Sequence, residues 1–194
     1  MTQENDPQLG NEAMAYHHIH HHHHHASSAY TEQASASDGF VYFRQGGRLH
    51  RVEYKEHRPI TSSCIAHASH YYHVPQVLIY GILKTEGGHV GEEVRNTNQS
   101  YDIGPMQINE QWLSKLSPYH ITRQQLRDDG CLNVHIGTWI MASNLIQAHK
   151  DDHNDFWRHV GNYNSAQPLH NHRYTLMVIH NIEKLFPNAI ASSR

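Results

Sequence analysis

The chain has 194 residues, a formal charge of −3 with its histidines neutral, and 38% hydrophobic residues. That length supports one domain with a real core plus appendages. The charge balance excludes a general attraction to nucleic acid, and no apolar run approaches the length of a membrane span.

The first segment is anomalous. His17-His18-Ile19-His20 through His25 is almost pure histidine. Such a tract binds metal, but an affinity tag accounts for it more simply, so residues 1–26 are set aside from the fold. Residues 27–58 read as a small, polar linker followed by a candidate β-hairpin. In it, Phe40-Val41-Tyr42-Phe43 and Leu49 to Tyr54 flank Gln45-Gly46-Gly47-Arg48. Both glycines can take the positive φ that a tight hairpin turn requires. Such a hairpin is marginal alone and has to lean on the main domain.

From residue 60 the pattern turns helical. Ser62 or Ser63 is placed to cap a helix carrying Cys64, Ala68 and Tyr71 or Tyr72. His73-Val74-Pro75 breaks it, and Pro75 suits the first turn of the next helix. That second helix carries Val77, Leu78, Ile79, Ile82 and Leu83 and stops at Gly87-Gly88. Residues 89–105 read as loop or a short, weak hairpin, and 107–116 as a short helix. Val134, Thr138, Met141 and Leu145 give helical spacing over 132–148. Asn154 or Asp155 starts another short helix through Val160. The last carries Tyr174, Met177, Val178, Ile182 and Leu185, and Pro187 ends it. Five or six helices around one irregular centre predict a mainly α domain over residues 59–194.

Three segments carry chemistry. Glu86 follows Leu83 by three positions, Ile82 by four and Ile79 by seven, so it falls on the apolar face of its helix. Burial there raises a carboxyl pKa, which suits a general acid. A helix-end glutamate swinging into solvent fits the local pattern at least as well. The run Asn96 to Asn109 crowds amides, hydroxyls and Asp102 beside Gly104, a set suited to sugar hydroxyls and N-acetyl groups, or equally to an ordinary polar turn. Gly161-Asn162-Tyr163-Asn164 offers a tyrosine hydroxyl that can orient a carboxyl group, or else a linker with one half-buried ring.

Taken in order, these segments resemble the lysozyme-like lytic transglycosylases of the soluble-transglycosylase type, especially the small enzymes that accompany secretion, conjugation and pilus machines. The carrying residues are Leu83-Lys84-Thr85-Glu86, Ser100-Tyr101-Asp102-Ile103-Gly104, Gly104-Pro105-Met106-Gln107-Ile108-Asn109 and Asn162-Tyr163-Asn164. Cys64 early in the first helix and Cys131 after Asp128-Asp129-Gly130 fit the same subgroup. The resemblance covers about residues 62–186. It departs from the family at Gly87, Pro105 and Asn162, where Ser, Leu and Ala are usual, and residues 40–58 have no counterpart in it.

The resemblance implies a lysozyme-like (α+β) fold with a short irregular or hairpin centre. It also implies cleavage of the bond between N-acetylmuramic acid and N-acetylglucosamine with closure of a 1,6-anhydro ring. Glu86 is implied as the acid and then the base, and Tyr163 as its support. Gln107, Met106, Ser100 and Asn164 are implied along the sugar. Asp102 is either a brace for its loop or, in a muramidase, the second carboxylate that a retaining glycosidase needs. An inactive peptidoglycan-binding assembly factor is the reading from another class.

The partners expected are peptidoglycan strands and components of an envelope machine. No cofactor is expected, and no metal either. His67 and His70 share a helix face, with His73 a turn on and His89 beyond, and zinc needs more convergence than that. Two cysteines are compatible with one disulfide, worth about 4 kcal/mol on the chain-entropy model and at home in an oxidising compartment such as the periplasm. No signal peptide is visible, which says little where a tag stands in its place.

Overall fold

The computed structural model describes residues 33–34, 40–53, 56–150 and 155–190. The histidine tract, most of the linker, Tyr54 and Asn154 lie outside them. The chain falls into two compact units, one running to Cys64 and over Gly87–Val134, the other over Ile65–Glu86 and from His135 onward.

The first unit is built on an antiparallel sheet. Its strands are β1 (Gln33–Ala34), β2 (Val41–Gln45), β3 (Arg48–Val52), β4 (Glu92–Arg95), β5 (Tyr101–Ile103) and β6 (Ile108–Asn109), in spatial order β1-β2-β3-β4-β5-β6. Gly46 and Gly47 turn β2 into β3 with φ of 56° and 78°, the two left-handed residues of a type I′ turn. The hairpin is no appendage to the sheet. His50 pairs with Val94 and Val52 with Glu92, so β3 and β4 are neighbours.

The expected loop or weak hairpin over 89–105 therefore understates the centre, which is three strands of a larger sheet. The reason is β4. Its sequence, Glu-Glu-Val-Arg, shows no apolar alternation, yet Glu92, Glu93 and Val94 are all buried. Glu93 is fully enclosed, with Arg51 Nη2 and Arg123 Nε donating to its Oε1 at 3.0 and 2.9 Å, and Arg127 Nη1 3.8 Å from Oε2. An ionised carboxylate in that place is tolerable only because guanidinium groups surround it. Arg51 also lies over the rings of Tyr101 and Phe40, at 3.7 and 4.6 Å, and Arg127 pairs with Glu53. Residues of the hairpin thus help to enclose the buried charge.

Beyond β6 the expected short helix over 107–116 is broken into smaller pieces. A 3₁₀ turn (Glu110–Trp112) leads into α3 (Leu113–Leu116), and a second 3₁₀ turn covers Ser117–Tyr119. α4 (Arg123–Asp128) follows. It opens with a capping box in which Thr122 accepts from Gln125 N and the Gln125 side chain accepts from Thr122 N. α5 (Gly130–Lys150) starts directly after it. Gly130 is required there, because a Cβ would come within 2.8 Å of Ile60 and 2.9 Å of the Arg58 carbonyl. A disulfide joins Cys64 to Cys131, with Cα atoms 5.8 Å apart.

α1 (Ser62–Tyr72) and α2 (Gln76–Glu86) are the first two helices of the chain. The cap of α1 is neither Ser62 nor Ser63. Thr61 accepts from the Cys64 amide at 3.1 Å, the first of three hydroxyl residues in a row. Pro75 sits just before α2 and its carbonyl takes the amides of Leu78 and Ile79.

In the second unit, α2 packs on α7 (Pro168–Leu185), and α6 (Phe156–Gly161) on α7 as well. Gly81 makes the first contact close, since a Cβ on it would lie 2.5 Å from Ile182. Ile182 and Val178 of α7 are the residues against Gly81, and they are buried, as are Ile79, Ile82 and Leu83 of α2. Seven α-helices and this one small sheet, among the described residues, make the mainly α, lysozyme-like (α+β) class that the sequence predicts.

Candidate active site

Glu86 is the last residue of α2 and is half-buried. Gly87 ends the helix with φ of 63°, the left-handed conformation that closes a helix and favours glycine. The last turn is held twice. Thr85 Oγ1 donates to the Gly81 carbonyl at 2.7 Å, and Asn181 Nδ2 on α7 donates to Thr85 Oγ1 at 2.9 Å. The side chain carrying the carboxylate therefore leaves from a fixed base.

Its neighbour is Tyr174, a residue that the sequence pattern assigns only to the apolar face of α7. The Tyr174 hydroxyl is buried and makes no hydrogen bond of good geometry among the described residues. Burial first, then the charge of Glu86, then Tyr163, hold its pKa well above the usual tyrosine value. It therefore stays protonated throughout the physiological range. Tyr163 stacks on Tyr174, ring centroids 6.3 Å apart and planes 20° off parallel.

The turn carrying Tyr163 is pinned from α7. Asn171 Nδ2 donates to the carbonyls of Arg158 and Ser165 and to Asn162 Oδ1, at 2.8, 3.1 and 3.0 Å. Gly161 lets Asn171 come that close, since a Cβ there would meet it at 2.4 Å. Asn164 lies next in the same turn and is exposed.

The other candidates lie in the first unit, on its sheet and the turn after it. Asp102 is on β5. Its Oδ1 accepts from Asn109 Nδ2 at 3.1 Å, and Arg48 Nη2 lies 3.9 Å from Oδ2. Burial raises the Asp102 pKa, against hydrogen bonds from Asn96 and Asn109 and the charge of Arg48, which lower it. Ser100 Oγ donates to Asn98 Oδ1 at 2.6 Å and accepts from Asn109 Nδ2 at 2.9 Å.

Gly104 and Gln107 both take positive φ, 69° and 51°. The Gln107 side-chain amide donates back to the Gly104 carbonyl at 3.0 Å, which fixes the turn. Gly88 is buried against the same turn. A Cβ there would lie 2.1 Å from the Gly104 carbonyl oxygen, so this position accepts only glycine. Met106 is fully buried and its amide donates to Asn133 Oδ1 at 2.8 Å.

Asn133, on α5, is the hub that sequence reasoning missed. It is fully buried, and its Nδ2 also donates to the carbonyls of Ile103 and Leu126, at 2.9 and 3.0 Å. One side chain thus anchors the Gly104–Gln107 turn from behind. An asparagine between Leu132 and Val134 inside a helix was the available signal.

The structure therefore groups the sequence candidates in two sets. Glu86 and Tyr163 both neighbour Tyr174 in one unit. Ser100 and Asp102 share one polar network in the other, beside the turn that holds Met106 and Gln107.

An α-rich domain with a glutamate ending its second helix and a braced Gly-x-Met-Gln turn matches a known family model. The transglycosylase SLT domain covers residues 63–175, more than half of the chain, and the chain belongs to that family. Among curated relatives it is 28% identical over 109 residues to "Invasion protein IagB" of Salmonella typhimurium and Salmonella typhi, which is 54% of this chain and 63% of those proteins. It is 27% identical over 124 residues to a "Peptidoglycan-binding-like protein" of Escherichia coli O157:H7, covering 60% of this chain and 71% of that one. The chain thus spans less than two thirds of the length of the invasion proteins. None of its described helices is long and apolar enough to cross a membrane.

Proposed function

We propose that the protein is a peptidoglycan lytic transglycosylase, with residues 59–194 as its catalytic domain and residues 1–26 a tag outside it. The observation that carries this reading is Glu86 at a fixed helix end, beside a tyrosine hydroxyl kept neutral, within a chain of the SLT family.

Glu86 first gives its proton to the glycosidic oxygen, and the bond from that oxygen to the muramoyl C1 breaks. The N-acetyl group of the muramoyl residue stabilises the positive charge that develops. Glu86, now ionised, takes the proton of the muramoyl C6 hydroxyl, whose oxygen closes on C1. One carboxyl group serves both steps, because losing its proton makes it the base for the second. The hydroxyl outcompetes water through proximity. Tyr163, stacked on Tyr174, holds the carboxyl in place, and the neutral Tyr174 hydroxyl lies beside it. The contacts proposed with the glycan are those of Gln107, Ser100 and Asn164; Met106 has no exposed surface and its amide is taken by Asn133, so its part is to hold the turn.

Asp102 keeps a muramidase reading open, since hydrolysis with retention uses a second carboxylate. Its hydrogen bond from Asn109 and its place mid-strand favour the bracing role. The compartment proposed is the periplasm, in keeping with the disulfide. The likeness of Ser100 to Gly104 and of the cysteine pair to the specialised subgroup supports a cut that opens the wall locally for a secretion, conjugation or pilus apparatus.

The test is a muropeptide mass spectrum after digestion by the parent protein and by Glu86→Gln. Anhydro-muropeptides from the parent and none from the variant are expected. Reducing-end products alone would transfer the assignment to a muramidase. No products at all, with binding to the wall retained, would leave the assembly-factor reading.

A further inference from the structure

One face of the sheet in the first unit carries a polar network at its β3–β6 end, and the N-terminal hairpin extends it. Across that face, Asp102 stands opposite Asn109 on β6 and Val94 on β4, and Val94 opposite His50 on β3. Side chains two residues apart share a face, which puts Arg48, Asn96 and Ser100 on the same side. The contacts agree. Arg48 Nη2 donates to Asn96 Oδ1 at 3.2 Å, Asn96 Nδ2 to Ser100 Oγ at 3.3 Å, and Asn109 Nδ2 to both Ser100 and Asp102.

Arg48 is therefore part of the network that contains two of the residues proposed to line or flank the glycan. It comes from a segment outside the family match, which begins at residue 63. Its side chain is 49% exposed, and among the described residues only Nη2 is engaged by protein. The 3.9 Å separation from Asp102 is too long for a paired fork. Nε and Nη1 remain donors in the geometry that matches a carboxylate.

We propose that Arg48 is a subsite for a carboxylate of the peptide stems that peptidoglycan strands carry. The chemistry selects that ligand. In the glycan the muramoyl lactyl carboxyl is tied up in the amide to the stem, so the sugars of a substituted strand are neutral. The anionic groups near them are the free carboxylates of the stem peptides. A guanidinium fixed on the sugar-facing network, with its fork open, reads those carboxylates and not the sugars. This inference rests on the transglycosylase reading for its substrate class.

The test compares the parent, Arg48→Ala, Arg48→Gln and Arg44→Ala on two substrates, intact sacculi and strands stripped of stems by an amidase, with the lactyl carboxyls that the cut exposes then capped as methylamides so that the stripped strands carry no carboxylate. Arg44→Ala removes the same charge from the same hairpin and serves as the control. Both Arg48 variants should raise KM on intact sacculi by about threefold to tenfold, the range of one exposed charge-assisted contact. Their kcat should stay within about twofold of the parent, an estimate for lost uniform binding. On stripped strands they should match the parent, and Arg44→Ala should match it on both. An equal loss on both substrates, or no loss on intact sacculi, overturns the proposal. Sedimentation with sacculi and stripped strands reads the same preference as binding. A parent without turnover would sink the transglycosylase reading, and the sedimentation contrast would still decide the subsite.

Discussion

Two carboxylates in this chain have opposite surroundings. Glu86 ends a helix beside the hydroxyl of Tyr174. Asp102 sits within a strand, with the Asn109 amide donating to one oxygen and Arg48 near the other. A hydroxyl donates and accepts, whereas an amide nitrogen or a guanidinium only donates. A tyrosine can therefore serve a carboxyl group both when it is protonated and when it is ionised. A set of donors serves only the ionised state. Burial alone does not separate the two residues, since it also pushes the Asp102 pKa up. What separates them is whether the neighbours tolerate a change of protonation in mid-reaction.

The contrast can be broken in four places. Glu86→Gln should lower turnover on sacculi by on the order of 10³-fold, the middle of the range for losing a general acid, with the thermal midpoint little changed.

Glu92 is the extreme case of a carboxylate held by donors. Burial pushes its pKa up, but His50, whose Nδ1 lies 2.6 Å away, and His89 bring it down from 4.5 to about 2. A lowered pKa stabilises the fold fully above pH 4.5, and that stability is lost as the pH falls toward 2. Urea titrations should find Glu92→Gln less stable than the parent, with a flatter acid limb between pH 4.5 and about 2. An unchanged acid limb would mean that the histidines do not hold Glu92.

Tyr174→Phe should cost about tenfold to a hundredfold in kcat, an estimate for a lost positioning contact, and should change the pH–rate profile. A merely structural tyrosine would leave that profile unmoved. The smallest effect is expected at Asp102→Asn, within about threefold of the parent, because an amide keeps the shape of a brace. A loss of 10²-fold or more would move Asp102 from brace to catalyst.

Some of this architecture was readable in the residues. The run Val77 to Leu83 with Gly87 marks α2 and its end, and the position of Glu86 follows from it. Gly46-Gly47 marks the hairpin turn. Other parts were not readable, for physical reasons. β4 begins Glu92-Glu93, which looks like a solvated segment. Its burial depends on Arg51, Arg123 and Arg127, brought together only by the fold. Tyr174 reads as one more apolar position on α7, because nothing local reveals that its hydroxyl faces Glu86. The capping box at Thr122 and Gln125 did carry its usual spacing and was overlooked. Asn133 was visible only as an oddity, since two of its three partners, Met106 and Ile103, lie 27 and 30 residues away along the chain.

The central claim is that the muramoyl C6 hydroxyl, and not water, closes the reaction. Digestion of sacculi in heavy-oxygen water, followed by mass spectrometry of the products, tests it directly. The account predicts anhydro ends with no heavy oxygen at the muramoyl C1, in the parent and in Asp102→Asn alike. Heavy oxygen incorporated at that carbon by the parent, and lost in Asp102→Asn, would contradict it.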